Sequence, residues 1–232
     1  MQAVILAGGF GTRLRQRVVD LPKPMAPVAG RPFLDYLLDP LAEAGCARAM
    51  LATGHLADKI EAHVGHSWRG MAIEYSHEET PLGTGGAVLQ AMRRLPDEPT
   101  LVLNGDTWIG LDLTAFGTWC DRVPDADAIV LRRVEDASRY GRVEIDGERI
   151  VAFGEKSGSG PGLINAGVYR LRRSTFARYA LPAAFSLESD LFAPHAAELG
   201  LRGHVCAGHF IDIGVPEDYD HAQTVLPLWT RR

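Results

Sequence analysis

The spacing of apolar positions changes repeatedly along the chain. Residues 3–7 form an unbroken apolar run, the pattern of a strand buried on both faces. From Pro32 onward, apolar residues recur at Phe33, Leu34, Leu37, Leu38 and Leu41, one face of a helix that Pro40 should kink or shorten. Residues 47–53 read as a strand, 56–64 as a helix, 71–76 as a strand and 86–95 as a helix. A strand at 100–103 runs straight into Asn104-Gly105-Asp106. Such alternation predicts a mainly parallel sheet with helices on both faces.

The second half is more mixed. Strands are predicted at 128–134, 142–145, 150–153, 163–171, 203–206 and 210–213, and helices at 175–179, 187–199 and 216–226. The last helix has Pro216 first and acids in its opening turn, a sound start. Residues 157–162 are a Ser/Gly/Pro loop, flexible and well placed to move over a substrate. With no internal repeat and no composition shift, the expected fold is α/β: a Rossmann-like, doubly wound mixed sheet in a single domain. Ligands on such sheets bind beyond the carboxyl ends of the strands. The loop at 8–13 and Asp106 both lie there, which predicts one shared site.

Bulk properties narrow the function. At 232 residues, 46% hydrophobic and 23% charged, the chain fits one globular domain with a good core. Its formal net charge of −5 argues against broad nucleic-acid binding but leaves room for a local phosphate site. No apolar run approaches the roughly 20 residues that span a bilayer, and no secretory signal precedes the first strand. Cys46, Cys120 and Cys206 lack metal-like spacing and read as reduced thiols of a cytoplasmic protein.

The candidate chemistry begins where the first strand empties into Gly8-Gly9-Phe10-Gly11-Thr12-Arg13, followed by Lys23 between Pro22 and Pro24. Glycines let backbone N–H groups approach an anion, so strand, glycine turn and two cations point to a polyphosphate. A Walker loop is excluded, because Gly11 is followed by Thr12-Arg13 where Gly-Lys-Ser/Thr is required. A dinucleotide fingerprint is excluded as well, because Leu14 stands where its third glycine belongs. A bare strand-to-helix turn would use glycines too, but it has no need of Arg13 and Lys23.

The wording GG-x-GTRL followed by PKPM-x-P resembles the sugar-1-phosphate nucleotidylyltransferases. Further segments of that likeness are EETPLGTGGA (78–87), LNGD (103–106), EK (155–156), LINAGVY (163–169) and FIDIGVPEDY (210–219), so it covers nearly the whole chain. Within the family, LNGDT, RYG and FIDIGVPEDY look most like the D-glycero-D-manno-heptose 1-phosphate guanylyltransferases. The resemblance implies a GT-A-like fold, with a nucleotide-binding half at about 1–110 and a sugar-phosphate-binding half at about 111–232. It implies attack of a sugar 1-phosphate on the α-phosphorus of a nucleoside triphosphate, GTP in the nearest subgroup, with release of pyrophosphate. Because few residues follow Asp212, the C-terminal domain that some relatives carry is not expected. Family members often pair, so a homodimer is possible.

Residue by residue, the likeness puts Arg13 and Lys23 at the reacting phosphates as the catalytic pair. It puts Leu6, Ala7, Gly8, Gly9, Gly11, Thr12, Glu78, Pro81, Leu82, Gly83, Thr84 and Gly105 around the nucleotide. Asn104, Tyr140, Gly141, Glu155, Lys156 and Asn165 match positions at the sugar and its phosphate. Asp106 and Asp212 match the ligands of Mg²⁺, a hard cation suited to carboxylate oxygens. Alone, each aspartate reads equally well as a turn or cap residue. Asp218 and Asp220 fit better as helix-start and surface residues. Tyr140, Trp108 and Trp68 could stack on a ligand or simply pack. The histidines show no ligand spacing, so no zinc site is assigned.

Alternatives remain open from sequence. Uridylyl or thymidylyl transfer to a hexose or amino-sugar 1-phosphate is the nearest. A non-catalytic nucleotide-sugar-binding regulator should have lost Arg13, Lys23 or Asp106. A glycosyltransferase of related fold should show Asp-x-Asp where Asn104-Gly105-Asp106 has one acid.

Overall fold

A computed structural model describes residues 1–9, 11, 14, 17–18, 20–154 and 159–231. The first half follows the predicted alternation. Strand β1 (Gln2–Leu6) is followed by a 3₁₀ turn, Lys23–Met25, and a small hairpin, β2 (Pro27–Val28) and β3 (Arg31–Pro32). Helix α1 (Phe33–Glu43) starts after Pro32 and runs through Pro40 to Glu43. Then come β4 (Arg48–Thr53), α2 (Ala57–Val64), β5 (Ser67–Trp68), β6 (Met71–His77), α3 (Gly83–Met92), β7 (Thr100–Asn104), β8 (Thr107–Ile109) and α4 (Leu113–Cys120). Leu56, expected inside α2, instead caps it in the left-handed region at φ 58°.

The second half comprises β9 (Ala128–Val134), β10 (Val143–Asp146), β11 (Arg149–Phe153), β12 (Gly162–Leu171), α5 (Arg173–Phe176), α6 (Ala193–Leu199), β13 (Arg202–Cys206), β14 (Phe210–Asp212) and α7 (Pro216–Trp229). The single helix predicted at 187–199 is two pieces, a π-helical turn at Leu187–Phe192 and then α6. Residues 157 and 158 of the predicted flexible loop lie outside the described residues. Its next two residues are held by Arg142, which donates to the carbonyls of Ser159 (2.5 Å) and Gly160 (3.2 Å).

Ten strands form one sheet in the order β10-β11-β13-β9-β12-β7-β1-β4-β6-β5. The block β7-β1-β4-β6 is parallel, with α1, α2 and α3 as crossovers. Antiparallel β12 lies between β7 and β9 and joins this block to the second half, so the whole sheet is mixed. Side chains on a strand alternate between faces. Accordingly Ala3, Ile5, Ala49, Leu51, Leu101 and Leu103 bury against α1, α2, α4 and α7 in one core. Val4, Met50, Ala52 and Val102 bury against α3, α5 and the 187–199 segment in a second core. The apolar runs read as doubly buried strands are therefore covered on both faces. No described helix is long and apolar enough to cross a membrane.

Two glycine-dependent approaches aim the strand ends. A Cβ built on Gly105 would stand 2.1 Å from the Leu6 carbonyl oxygen, so β7 can turn beside the end of β1 only with glycine there. Likewise a Cβ on Gly85 would strike the Phe185 ring at 2.1 Å, and the Gly85 N–H donates to the Phe185 carbonyl at 2.9 Å. This contact explains why α3 begins at Gly83, three residues before the predicted start: tertiary packing outweighs glycine's poor helix propensity. Gly105→Ala should cost about 1–3 kcal/mol of stability through overpacking against backbone, measured as a lower midpoint in urea unfolding. An unchanged midpoint would refute the close approach.

Candidate active site

Three distant segments meet at the carboxyl ends of the central strands. Lys23 sits in the 3₁₀ turn between Pro22, which fixes the entry at φ −66°, and buried Pro24. Its ammonium forms an ion pair with Asp106, which follows β7. Gly11, at φ +57°, lies against the lysine stem; a Cβ there would be 3.1 Å from that of Lys23. Asp212 ends β14, which pairs antiparallel with β8 so that Asp212 stands opposite Thr107. The Ile213 N–H donates to the Asp106 carbonyl at 2.9 Å, and the Gly214 N–H donates to Asp212 Oδ1 at 2.6 Å. Burial pushes the Asp212 carboxyl above the ordinary aspartate value, and neighbouring Asp106 adds to the push while Lys23 opposes it. Two carboxylates and one ammonium thus share a single cleft.

Two cavities open from this point. The larger, of about 540 Å³, runs from Lys23, Asn104, Gly105 and Asp106 past Leu6, Gly8 and Gly9 to Glu78, Pro81, Gly83 and Thr84. Glu78 Oε2 accepts from the Leu82 N–H at 3.0 Å. Its other oxygen faces Gly8 so closely that a Cβ there would lie 2.5 Å away. Burial pushes the Glu78 carboxyl upward. The smaller cavity, of about 230 Å³, is lined by Tyr140, Gly141, Asn165 and Asp212 and shares Thr84, Asn104 and Asp106 with the larger. Asn165 is fixed at both ends: its amide donates to the Tyr169 hydroxyl (2.9 Å) and its oxygen accepts from the Gly167 N–H (3.0 Å).

Most residues singled out from sequence line one cavity or the other. Ala7 and Leu82 do not: Ala7 is fully buried in the core, and Leu82 acts through its backbone at the start of α3. Gly11 supports Lys23 rather than lining a wall. Thr12, Arg13, Glu155 and Lys156 lie outside the described residues. Of the three aromatics, Trp108 stacks on Trp229 at 6.0 Å and the Trp68 indole donates to Asp39, so both serve packing. Tyr140 lines the smaller cavity with its phenol pushed up to about 12, first by burial and then by Asp212. Asp218 and Asp220 pair with Arg139 (2.7 Å) and Arg17 (2.8 Å), in keeping with their reading as helix-start and surface residues.

Sequence reasoning missed Gly54, His55, His77 and Glu79 on the larger cavity, and Ser186, Leu187 and Glu188 on the smaller. The first group follows the ends of β4 and β6, where the strand-end rule would have found it. The second had no signal, because a π-helical turn across the sheet brings it in. Among the described residues no three His, Cys, Asp or Glu side chains stand together as a metal cluster. A cation held by Asp106 and Asp212 must therefore complete its shell with water and substrate oxygens, as hard divalent ions do.

Residues 2–225 match the nucleotidyl transferase family. This chain belongs to that family. It is 38% identical over 226 residues to the D-glycero-alpha-D-manno-heptose 1-phosphate guanylyltransferase of Aneurinibacillus thermoaerophilus, covering 97% of this chain and 98% of that protein. The enzyme of the same name from Campylobacter jejuni is 38% identical over 222 residues, covering 95% and 98%. The crystal structure of HddC from Yersinia pseudotuberculosis complexed with GMP-PN superposes with a TM-score of 0.84 at 35% identity, covering 97% of this chain and 99% of that one. Nucleotidyl transfer is thus the reaction class, and the mixed single sheet is the family's fold. The family generally uses a divalent metal.

Replacing Lys23 by Met removes the ammonium between two carboxylates that remain in place. In metal-free buffer at pH 7 the variant should lose about 1 kcal/mol of stability, the lower end of the cost of leaving a polar group without its partner, because both carboxylates are only half-buried. The loss should shrink as the pH falls towards about 4, where protonation removes the repulsion. A pH-independent loss in chemical unfolding would contradict this.

Proposed function

We propose that this protein transfers a guanylyl group from GTP to D-glycero-α-D-manno-heptose 1-phosphate. The observation that carries the reading is the meeting of two cavities at Asp106, beside Lys23 and Asp212. Each cavity takes one substrate, and their junction takes the reacting phosphates. A phosphate monoester is largely dianionic near neutral pH, with a second pKa of about 6, so the nucleophile needs no general base. One of its oxygens attacks the α-phosphorus, and the bond from that phosphorus to the oxygen bridging to the β-phosphate breaks. Pyrophosphate leaves with the electron pair.

The work of the protein is alignment and neutralisation of charge. Lys23 and Arg13 bind phosphate oxygens, Arg13 as a guanidinium that stays charged throughout the working range. Gly8 and Gly9 face the nucleotide, Gly11 supports Lys23 behind them, and Thr12 is assigned to the triphosphate by the family likeness. Asp106 and Asp212 hold Mg²⁺, which when bound offsets charge on the α-phosphate and leaving group. Their oxygen-only donor set and mutual repulsion suit a hard dication. Asn104, Tyr140, Gly141 and Asn165, with Glu155 and Lys156, receive the sugar phosphate. Consumption of a nucleoside triphosphate fits a cytoplasmic setting.

Guanine presents two adjacent N–H donors on one edge, and Glu78 in the larger cavity is the matching acceptor. The high similarity to two heptose 1-phosphate guanylyltransferases supports both base and sugar. The test is a matrix of nucleoside triphosphates against sugar 1-phosphates with Mg²⁺, reading pyrophosphate release. GTP with the heptose 1-phosphate should turn over fastest. No turnover by any pair would sink the transfer reading, and a faster UTP or dTTP reaction would sink the guanylyl assignment alone.

Glu78 can accept from both guanine donors only when ionised, and burial raises its pKa. The KM for GTP should therefore rise as the pH falls from 7 towards about 5, with the carboxylate acquiring its proton earlier than an exposed one. Glu78→Gln should raise that KM roughly tenfold at pH 7 and flatten its acid dependence. An equally steep dependence in the variant would remove Glu78 from base recognition.

A further inference from the structure

The π-helical turn at Leu187–Phe192 delivers a carboxylate that the site described so far does not use. Ser186 caps this turn: its Oγ accepts from the Ser189 N–H (3.2 Å), and Asp190 Oδ2 accepts from the Ser186 N–H (2.7 Å). The cap is filled by Ser186 and Asp190, so Glu188 has no part in it. The widened turn, in which the Ala193 N–H bonds back five residues to the Glu188 carbonyl, is a local form that concentrates at functional sites. The Leu187 N–H donates to Thr84 Oγ1 at 2.9 Å, which ties the turn to the wall shared by both cavities.

Glu188 lines the smaller cavity opposite Gly141, where a Cβ built on that glycine would lie 3.9 Å from Glu188 Oε1. It is half-buried and forms no ion pair among the described residues. The charged side chains lining this cavity among the described residues are all acidic: Asp106, Asp212 and Glu188. A phosphate is repelled from Glu188 and belongs at the Asp106–Asp212 end, where Lys23 and a divalent cation meet it. What faces Glu188 must then be the uncharged, hydroxyl-bearing part of the substrate. An ionised carboxylate is acceptor-only, with two oxygens, and suits a neighbouring pair of hydroxyl groups.

We infer that Glu188 is a sugar-specificity residue, its carboxylate accepting hydrogen bonds from hydroxyls of the sugar 1-phosphate. The assignment rests on the transfer reading above. A site built to bind a hydroxyl strongly rejects an analogue lacking it, so Glu188 selects among sugar phosphates rather than driving phosphoryl chemistry.

The test compares parent, Glu188→Gln and Glu188→Ala by pyrophosphate release with GTP and the heptose 1-phosphate, together with thermal unfolding. The KM for the sugar 1-phosphate should rise about tenfold or more in Glu188→Ala and less in Glu188→Gln, which keeps one acceptor. The KM for GTP should stay within about twofold, and the unfolding midpoint should not move. An unchanged sugar KM in both variants overturns the inference while leaving the transfer reading intact. So does a parallel change of both KM values with a lowered midpoint, the signature of a purely structural role. A parent that turns over no sugar phosphate overturns the transfer reading and this assignment with it. Should Glu188→Ala fail to fold, the near-isosteric Glu188→Gln decides by the same criteria.

Discussion

Two carboxylates in one cleft repel each other more strongly as water is excluded, and a cation between them relieves the repulsion. Asp106, Asp212 and Lys23 stand in that relation, and much of the chain path serves to bring them together. They come from three remote stretches of sequence. The turn fixed by Pro22 and Pro24 aims the lysine, the end of β7 aims Asp106, and the short pairing of β14 with β8 carries Asp212 alongside. The arrangement is costly for an empty protein and useful for one that binds a metal and a polyphosphate. Stability conceded at a site for the sake of activity is a general pattern.

A second constraint is close approach of backbone. Glycine-rich signatures are usually read as places where a ligand comes near the chain, and Gly8 and Gly9 fit that description. Gly105 instead admits the Leu6 carbonyl, and Gly85 and Gly86 admit the segment at 183–185. In GTGG (83–86) the two functions overlap within one turn. Gly83 and Thr84 face the larger cavity, while Gly83, Gly85 and Gly86 all let the start of α3 sit against Phe185 and Ala183. A substitution at Gly85 is therefore a packing defect before it is a binding defect.

The period of the apolar residues was enough to locate the parallel block, because doubly buried strands leave unbroken apolar runs that turns must interrupt. Strand β9 has the bounds read from sequence, and β1, β4, β6 and β7 differ by only a residue at either end. Elements of two or three residues, such as β8 in the pair that positions Asp212, are too short to carry a period. The π-helical turn at 187–192 reads as ordinary helix, since nothing in its composition specifies the extra residue in the turn. Glu188 could not be found for the same reason: its neighbour Thr84 is 103 positions away from Leu187, and only the folded sheet brings them together. Lys23 and Asp106 were legible because motif wording fixed both, although their direct contact was not.

The charge distribution accounts for the division between the cavities. A chain of net charge −5 offers no long-range attraction to a triphosphate or a sugar phosphate. Beyond about a Debye length, roughly 8 Å at physiological salt, that field is screened in any case. On the reading proposed above, affinity arises at contact, from Lys23, Arg13 and Lys156, from backbone donors of the glycine turn, and from a cation at the two aspartates. The larger cavity has the lysine in its wall, whereas among described residues the charged wall of the smaller one is wholly acidic. On that reading phosphate is confined to the junction, where both cavities reach Asp106. Confinement by repulsion on one side and attraction on the other orients a sugar 1-phosphate without a dedicated base or nucleophile. That orientation is what an in-line displacement requires.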